Sequence, residues 1–176
     1  RGGIVSGQAA VYDLGHRDPV RAHSGIVAGY GARGGGSRSA TLARIRRLIH
    51  EARFYDRHRK AYEQNRIRKL SEDVQDLEAL QSLVKREVPL LLQVNRRSDI
   101  VRAIEFSKEM KVRLVLVGAA EAWQESELIA REGVGVILNP ASNAPSNFDS
   151  IHARSDAAAI LQKAGVSVAL STFSTH

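Results

Sequence analysis

Short apolar runs alternate with segments of helical spacing through the second half of the chain. The apolar runs occupy residues 88–95, 113–117, 134–138 and 166–171. The segments between them carry apolar residues three or four positions apart and extend over residues 98–110, 120–132 and 153–164. Strands that alternate with helices of this length predict right-handed βαβ units and a parallel sheet.

Polar residues follow directly where the predicted strands end. Strands this apolar are typical of a parallel sheet that helices cover, and in such sheets the residues past the carboxyl ends carry the chemistry. We therefore expect one group of polar side chains to converge at one mouth of the sheet: Gln93, Asn95, Arg96, Glu121, Asn139 and Ser171. The alternative, that these groups cap loops without binding a ligand, stays open.

The first half of the chain has a less regular pattern. Residues 3–14 alternate loosely and predict extended structure, whereas residues 18–39 are rich in glycine, and the glycines at 34–36 predict a loop. A long helix is predicted from about 40 to 66, with Ser39 as its N-cap. A second helix is predicted from about 74 to 86, with apolar residues spaced for a buried stripe.

Length and composition limit the class of protein. The chain of 176 residues fits a single domain, 1–176, in which 40–86 is a helical segment. It has no cysteine, which excludes disulfides and thiolate metal sites. No apolar run approaches the roughly 20 residues that span a bilayer, so no membrane span is expected. Because the chain opens on Arg1 rather than methionine, we expect a fragment of a longer protein.

The positive charge is concentrated in one predicted helix. Between Arg44 and Lys69 there are ten Lys and Arg residues and three acidic residues. This surplus of seven equals the net charge of +7 of the whole chain. Aromatic residues are interleaved with these cations, as in surfaces that contact phosphates. A solvated helix face explains the same pattern. Since no nucleic-acid-binding motif accompanies the charge, nucleic acid is not the expected partner.

Two further motifs carry little weight. Gly29, Gly31 and Gly34 match the G-x-G-x-x-G dinucleotide fingerprint, but "GIVAG" before them makes a poor strand and the predicted helix begins too late. The six histidines form neither H-x-H nor H-E-x-x-H, the spacings that place two imidazoles on one metal ion. His152, in a loop beside a helix N-terminus, is interpreted as an ordinary loop residue.

Several segments resemble the amidohydrolase superfamily, and most closely its imidazolonepropionase-like members. They read "GGIVSGQAAVYDL", "SRSATLARIRRLIHEARFYDRHRKAYE", "VNRRSDIVRAIEFSKEM", "RLVLVGAAEAW", "VGVILNP" and "AGVSVALST". The resemblance implies a TIM-type (β/α)8 barrel with zinc or another divalent metal that hydrolyses carbon–nitrogen bonds other than peptide bonds, such as those of cyclic amides. Such members are often predicted to be exported, which implies a periplasmic or exported location.

The positions that hold the metal in this family are not retained here. The fifth-strand histidine falls on Gln93, the sixth-strand histidine on Gly118 and the eighth-strand aspartate on Phe173. The family's H-x-H strand would lie upstream of this chain. We therefore expect no metal cofactor in this chain and keep two alternatives: a hydrolase that uses different residues, or a metal-free domain that binds a small carboxylate-bearing molecule through neutral amides and one guanidinium.

The strand pattern and the resemblance together predict an α/β fold. It is the C-terminal portion of a (β/α)8 barrel with parallel strands, preceded by a basic helical segment. A closed barrel of this type needs eight strands, and the chain supplies four clear ones and at most two more. An open sheet leaves two unpaired edges and an uncovered apolar face. We therefore expect the chain to self-associate or to pair with a missing N-terminal half.

Overall fold

A computed structural model describes residues 5–12, 19–30, 37–140, 144–145 and 147–172. The strands are β1 (Val5–Tyr12), β2 (Pro19–Gly29), β3 (Leu90–Val94), β4 (Leu114–Gly118), β5 (Gly135–Leu138) and β6 (Val168–Leu170). The helices are α1 (Arg38–Glu63), α2 (Val74–Ala79), α3 (Gln81–Val84), α4 (Arg97–Met110), α5 (Ser126–Arg131) and α6 (Ala157–Lys163). A 3₁₀ turn at Ala122–Glu125 precedes α5.

The strands form one sheet in chain order. The described strands lie in the order β1-β2-β3-β4-β5-β6, with β1 antiparallel to β2 and every later pair parallel. The sheet curls into a half-barrel. The predicted α/β class with parallel strands is confirmed, and β1 and β6 are the two edges of the described sheet.

Alternation along β3 shows how the sheet is covered. Leu90 and Leu92 are fully buried in the hydrophobic core that the sheet shares with the helices, whereas Leu91 and Gln93 point to the opposite face and are half-buried. Side chains alternate between the two faces of a strand, so one face of the sheet carries the core and the other is only partly covered. Among the described residues, no helix has the length and apolar character needed to cross a bilayer.

Helix α1 begins two residues earlier than predicted. Ser37 rather than Ser39 is the N-cap, because its backbone is extended and its Oγ accepts a hydrogen bond from the N–H of Ala40 at 3.2 Å. The face with Ile45, Ile49 and Ala52 packs into the core, as the spacing predicted. The helix ends at Glu63, with non-helical backbone angles at His58 inside it.

Strand β2 corrects the largest error of the sequence analysis. The glycine-rich residues 18–39 carried no predicted strand, but Pro19–Gly29 is an eleven-residue strand whose carboxyl end pairs in parallel with β3. Glycine is unusual in strands, yet a Cβ on Gly25 would approach Cγ of Leu91 to 2.7 Å. The description of "GIVAG" as a poor strand was therefore wrong, and Gly31 and Gly34 lie outside the described residues.

Other helices are shorter than predicted. The second predicted helix is divided at Leu80 into α2 and α3. The predicted helix 120–132 starts as the 3₁₀ turn and continues as α5, and the predicted helix 153–164 is α6. These segments lack side-chain N-caps, and α4 begins at Arg97 without a cap from Ser98 or from Arg96, which occupies the N-cap position.

Candidate functional site

The carboxyl ends of β3 to β6 lie at one level of the sheet. Val94 is paired with Gly118, Gly118 with Leu138, and Leu138 with Leu170. The residues that follow, which include Asn95, Asn139 and Ser171, therefore lie along the same edge. This is the arrangement that the strand pattern predicted, whereas the role of these residues in binding a ligand stays a prediction.

Asn139 and Ser171 form hydrogen bonds that connect the loop after β5 with the segment after β6. The side-chain amide of Asn139 donates to the carbonyl oxygen of Thr172 at 3.0 Å, and the N–H of Ser171 donates to the carbonyl oxygen of Leu138 at 2.9 Å. Gln93 lies on the partly covered face, paired with Gly29 and Val117. These contacts fix the loops that leave β5 and β6 at the mouth of the half-barrel.

Gly118 and Asn95 form a close contact at the centre of this edge. Gly118 has a φ of +86°, which favours glycine, and a Cβ placed on it would lie 2.6 Å from Oδ1 of Asn95. The backbone then turns back, because the carbonyl oxygens of Val94 and Asn95 accept hydrogen bonds from Ala119 at 2.7 Å and Glu121 at 3.0 Å. A side chain at position 118 would therefore displace Asn95.

We expect Gly118→Ala to lower the free energy of unfolding by about 1–2 kcal/mol, because the left-handed backbone is costly for any residue with a Cβ. The substitution also turns the Asn95 side chain away, which a changed amide signal of Asn95 in the NMR spectrum would report. Gly133→Ala is the matched control, since Gly133 has a φ of +64° and nothing within 4 Å of the added Cβ. An unchanged Asn95 signal in Gly118→Ala would contradict this geometry.

Glu121 is directed into the protein rather than into the mouth. Its side chain is only 6% exposed, and Oε2 accepts the N–H of Arg97 at 2.8 Å. Oε1 accepts the N–H of His152 at 3.1 Å and lies 3.3 Å from Nδ1 of the same residue. The first N–H groups of a helix favour a negative charge, so Glu121 serves as the cap that α4 otherwise lacks. As a direct ligand-binding residue, Glu121 is poorly placed.

His152, interpreted from the sequence as an ordinary loop residue, lies beside the buried carboxylate of Glu121. Its side chain is 64% exposed, while its main chain is held by Glu121 and by the indole N–H of Trp123, which donates to the carbonyl oxygen of His152 at 2.8 Å. A buried carboxylate beside Nδ1 orients the ring and leaves Nε2 toward solvent. The guanidinium of Arg154 lies 4.7 Å from the centre of the Trp123 ring and closes this side of the loop.

A second polar cluster joins two helix starts and one loop. Nε of Arg38 donates to buried Asp99 at 2.7 Å, and Nη2 of Arg38 donates to Asp149 at 2.6 Å. One guanidinium thereby connects the first turns of α1 and α4 with the β5–α6 loop. Arg96, at the start of α4, is exposed. Its predicted role in binding a ligand stays a prediction.

Tyr30 follows β2 and lies close to this cluster. Burial raises the pKa of the Tyr30 phenol, and the charge of Asp99 raises it further, while Arg38 opposes the shift. The unfolded chain titrates near the ordinary tyrosine value of about 10. Because the folded pKa is the higher one, the stability from neutral Tyr30 is fully present below that value and is lost as the pH rises through the folded pKa. Tyr30→Phe should weaken this alkaline loss of stability, measured by urea unfolding across the alkaline range.

The described side chains do not fit a zinc ion. Within the described parts of the chain, no three His, Cys, Asp or Glu residues are grouped so that they could hold a metal. Position 118 has no room for a ligating side chain, and both carboxylate oxygens of Glu121 accept hydrogen bonds from Arg97 and His152. Phe173, at the remaining position that the resemblance assigned to a ligand, lies outside the described residues, as do His16 and His176.

Comparison with known proteins gives one informative likeness. No family model matches the chain, and no curated protein matches its sequence. A crystal structure of an amidohydrolase from Thermotoga maritima MSB8 superposes with a TM-score of 0.80 at 20% sequence identity. The match covers 96% of this chain and 48% of that chain, so this chain spans about half the length of the protein it resembles. At this identity the likeness establishes the fold alone.

Proposed function

We propose that this chain is half of an amidohydrolase-like barrel, and that the complete protein hydrolyses carbon–nitrogen bonds other than peptide bonds. The observation that carries the proposal is the superposition of 96% of the chain on a protein named an amidohydrolase, with a TM-score of 0.80. The segments that resemble imidazolonepropionase-like members agree with it. Cyclic amides and amino-acid derivatives are accordingly the proposed substrates.

The partly covered face of the sheet supports completion of the barrel by further strands. It carries the half-buried side chains of Leu91, Val115 and Ile137, and the outer strand β6 exposes Leu170 to 62%. Strand edges and apolar faces of this kind pair with other strands. In the complete protein, the proposed occupant is the other half of the barrel.

We expect the 176-residue chain alone to self-associate through this face at micromolar concentration. Sedimentation equilibrium should then give a mass above the 19.3 kDa of one chain. Leu91→Glu should shift the chain toward the monomer, because it places a charge on the contact face, while Leu170→Glu tests the edge separately. A compact monomer with a cooperative thermal transition would contradict this expectation.

The mouth supports binding of an anionic amide. Asn95 and Asn139 supply amide groups along one edge, and Arg96 supplies an exposed guanidinium beside them. A guanidinium pairs with a carboxylate through two parallel hydrogen bonds. A substrate that carries a carboxylate next to its amide would be oriented by Arg96, with its amide toward the asparagines.

His152 is the proposed proton-transfer group. Its Nδ1 is 3.3 Å from buried Glu121, and its Nε2 has no partner among the described residues. A base that a second group orients is the arrangement used for general acid–base catalysis. Nε2 would take a proton from water as the water oxygen bonds to the amide carbon, and would return that proton to the nitrogen as the carbon–nitrogen bond breaks. Glu121 is then a positioning residue.

Incubation of the full-length protein with hydantoins, lactams, imidazolones and N-acyl amino acids tests this proposal. Mass spectrometry should find a product heavier by one water for at least one substrate class, with Arg96→Ala weakening the carboxylate-bearing substrates most. Arg131→Ala, an exposed arginine on α5, is the control. Failure of every class, combined with saturable binding of one of them, would replace hydrolysis with ligand binding by a metal-free domain.

A further inference from the structure

A cleft of about 710 Å³ lies between one flank of α1 and the segment that follows this helix. The α1 side is formed by residues three or four positions apart: Ala43, Arg46, Arg47, His50, Phe54 and Arg57. Arg68, Leu70 and Ser71 form the opposite wall. The cleft is separate from the strand-end edge, because none of the residues that line it follows a strand.

Hydrogen bonds fix the walls of the cleft, and they occupy Glu51, the carboxylate that lines it. Both the N–H and the hydroxyl of Ser71 donate to Glu51, at 3.1 Å and 2.5 Å. Arg46 donates through two nitrogens to Glu109, at 2.9 Å and 2.7 Å. Glu51 therefore anchors the segment after α1, and Arg46 is fixed in direction by an ion pair outside the cleft.

Three further arginines form no ion pair with an acidic residue in the described structure. Arg47 and Arg68 have no side-chain partner there, and Arg57 donates only to the neutral carbonyl oxygen of Arg53, at 3.3 Å. They lie on two walls of one cleft. An anion with two negative charges bound between these walls would gain charge-assisted hydrogen bonds from these arginines.

The cleft also offers an aromatic surface. Phe54 lines it and is stacked on the His58 ring at a centroid distance of 4.3 Å and an interplanar angle of 25°. Leu70 lines the opposite wall, but this residue belongs to the core and is only 6% exposed. A ligand that carries only charge would leave Phe54 unused, whereas a planar apolar group would cover it.

We propose that this cleft binds a small phosphate monoester that carries an aromatic group. Arg47, Arg57 and Arg68 hold the phosphate dianion, and Phe54 holds the ring. Each guanidinium presents paired N–H donors that match the geometry of phosphate oxygens, and one phosphate can accept from several guanidinium groups. A strand of nucleic acid would need a series of stacking aromatic residues, whereas the aromatic residue of this cleft is Phe54.

Isothermal titration of the chain with phenyl phosphate at physiological ionic strength tests this site. Phenyl phosphate should bind at one site per chain and more tightly than inorganic phosphate or phenol. Arg47→Ala and Arg68→Ala should each weaken binding about tenfold or more, as expected for a lost charge-assisted hydrogen bond. Arg131→Ala on α5 is the matched control and should leave the affinity unchanged.

Phe54→Leu separates the aromatic contribution from the charge. It keeps an apolar side chain against the core, so it should lower the affinity for phenyl phosphate while leaving that for inorganic phosphate unchanged. Absence of saturable phenyl phosphate binding at millimolar concentration would overturn the proposal. So would tight binding of a short oligonucleotide or of anionic vesicles that Phe54→Leu does not alter, because it would indicate a general polyanion surface.

Discussion

Glu121→Ala is expected to lower the free energy of unfolding by about 2–4 kcal/mol, because it removes the buried, charged acceptor of two partly buried backbone hydrogen bonds. The donors are the N–H groups of Arg97 and His152, and one carboxylate connects them at 2.8 Å and 3.1 Å. The loss exceeds that of a surface ion pair because the Glu121 side chain is 6% exposed. Urea unfolding with an unchanged slope measures the difference.

Two further variants of the same region should each lose less stability than Glu121→Ala. Glu121→Gln keeps one acceptor oxygen and should lose about half as much stability as the alanine variant. Glu125→Ala removes an ion pair with Arg97 in which the arginine is 60% exposed, and it should cost less than about 1 kcal/mol. If Glu121→Ala and Glu125→Ala were equally stable, Glu121 would not be the cap of α4.

His152→Ala is expected to lower kcat/KM for the hydrolysed substrate class by about 10²- to 10⁴-fold, the range of a lost general base. Stability should be unaffected, since the His152 side chain is 64% exposed. Added imidazole should restore part of the activity of His152→Ala, which a merely structural role would not permit. His23→Ala, an exposed histidine on β2, is the matched control. Full activity of His152→Ala would exclude it as the proton-transfer group.

The regular half of the fold could be predicted because its signals are local. An uninterrupted apolar run predicted 88–95 as a strand and the structure has Leu90–Val94, while helical spacing predicted 98–110 and the structure has Arg97–Met110. β2 was missed for a tertiary reason. Gly25 weakens the strand signal in the sequence, yet it is required where the backbone approaches Leu91.

The candidate site, like the fold, could be predicted from the sequence only in part. That Asn95 and Asn139 lie at one edge follows from the parallel order of the strands, which the alternating pattern predicted. The direction of Glu121 and the approach of His152 depend on the path of the loop after β5, and the two residues are 31 positions apart. No spacing rule connects residues at that separation, so the His152–Glu121 pair became visible only in the structure.

We propose the carboxyl-end edge of the half-barrel as the functional face of the protein. Hydrogen–deuterium exchange of the chain with and without hydantoin-5-acetic acid, a cyclic amide that bears a carboxylate, tests it most directly. We predict slower exchange in the segments after β3, β4 and β5, which contain Asn95, Ala119 and Asn139, and in the loop around His152. No protection in these segments, or protection only at the opposite ends of the strands near Pro89 and Arg113, would contradict the claim.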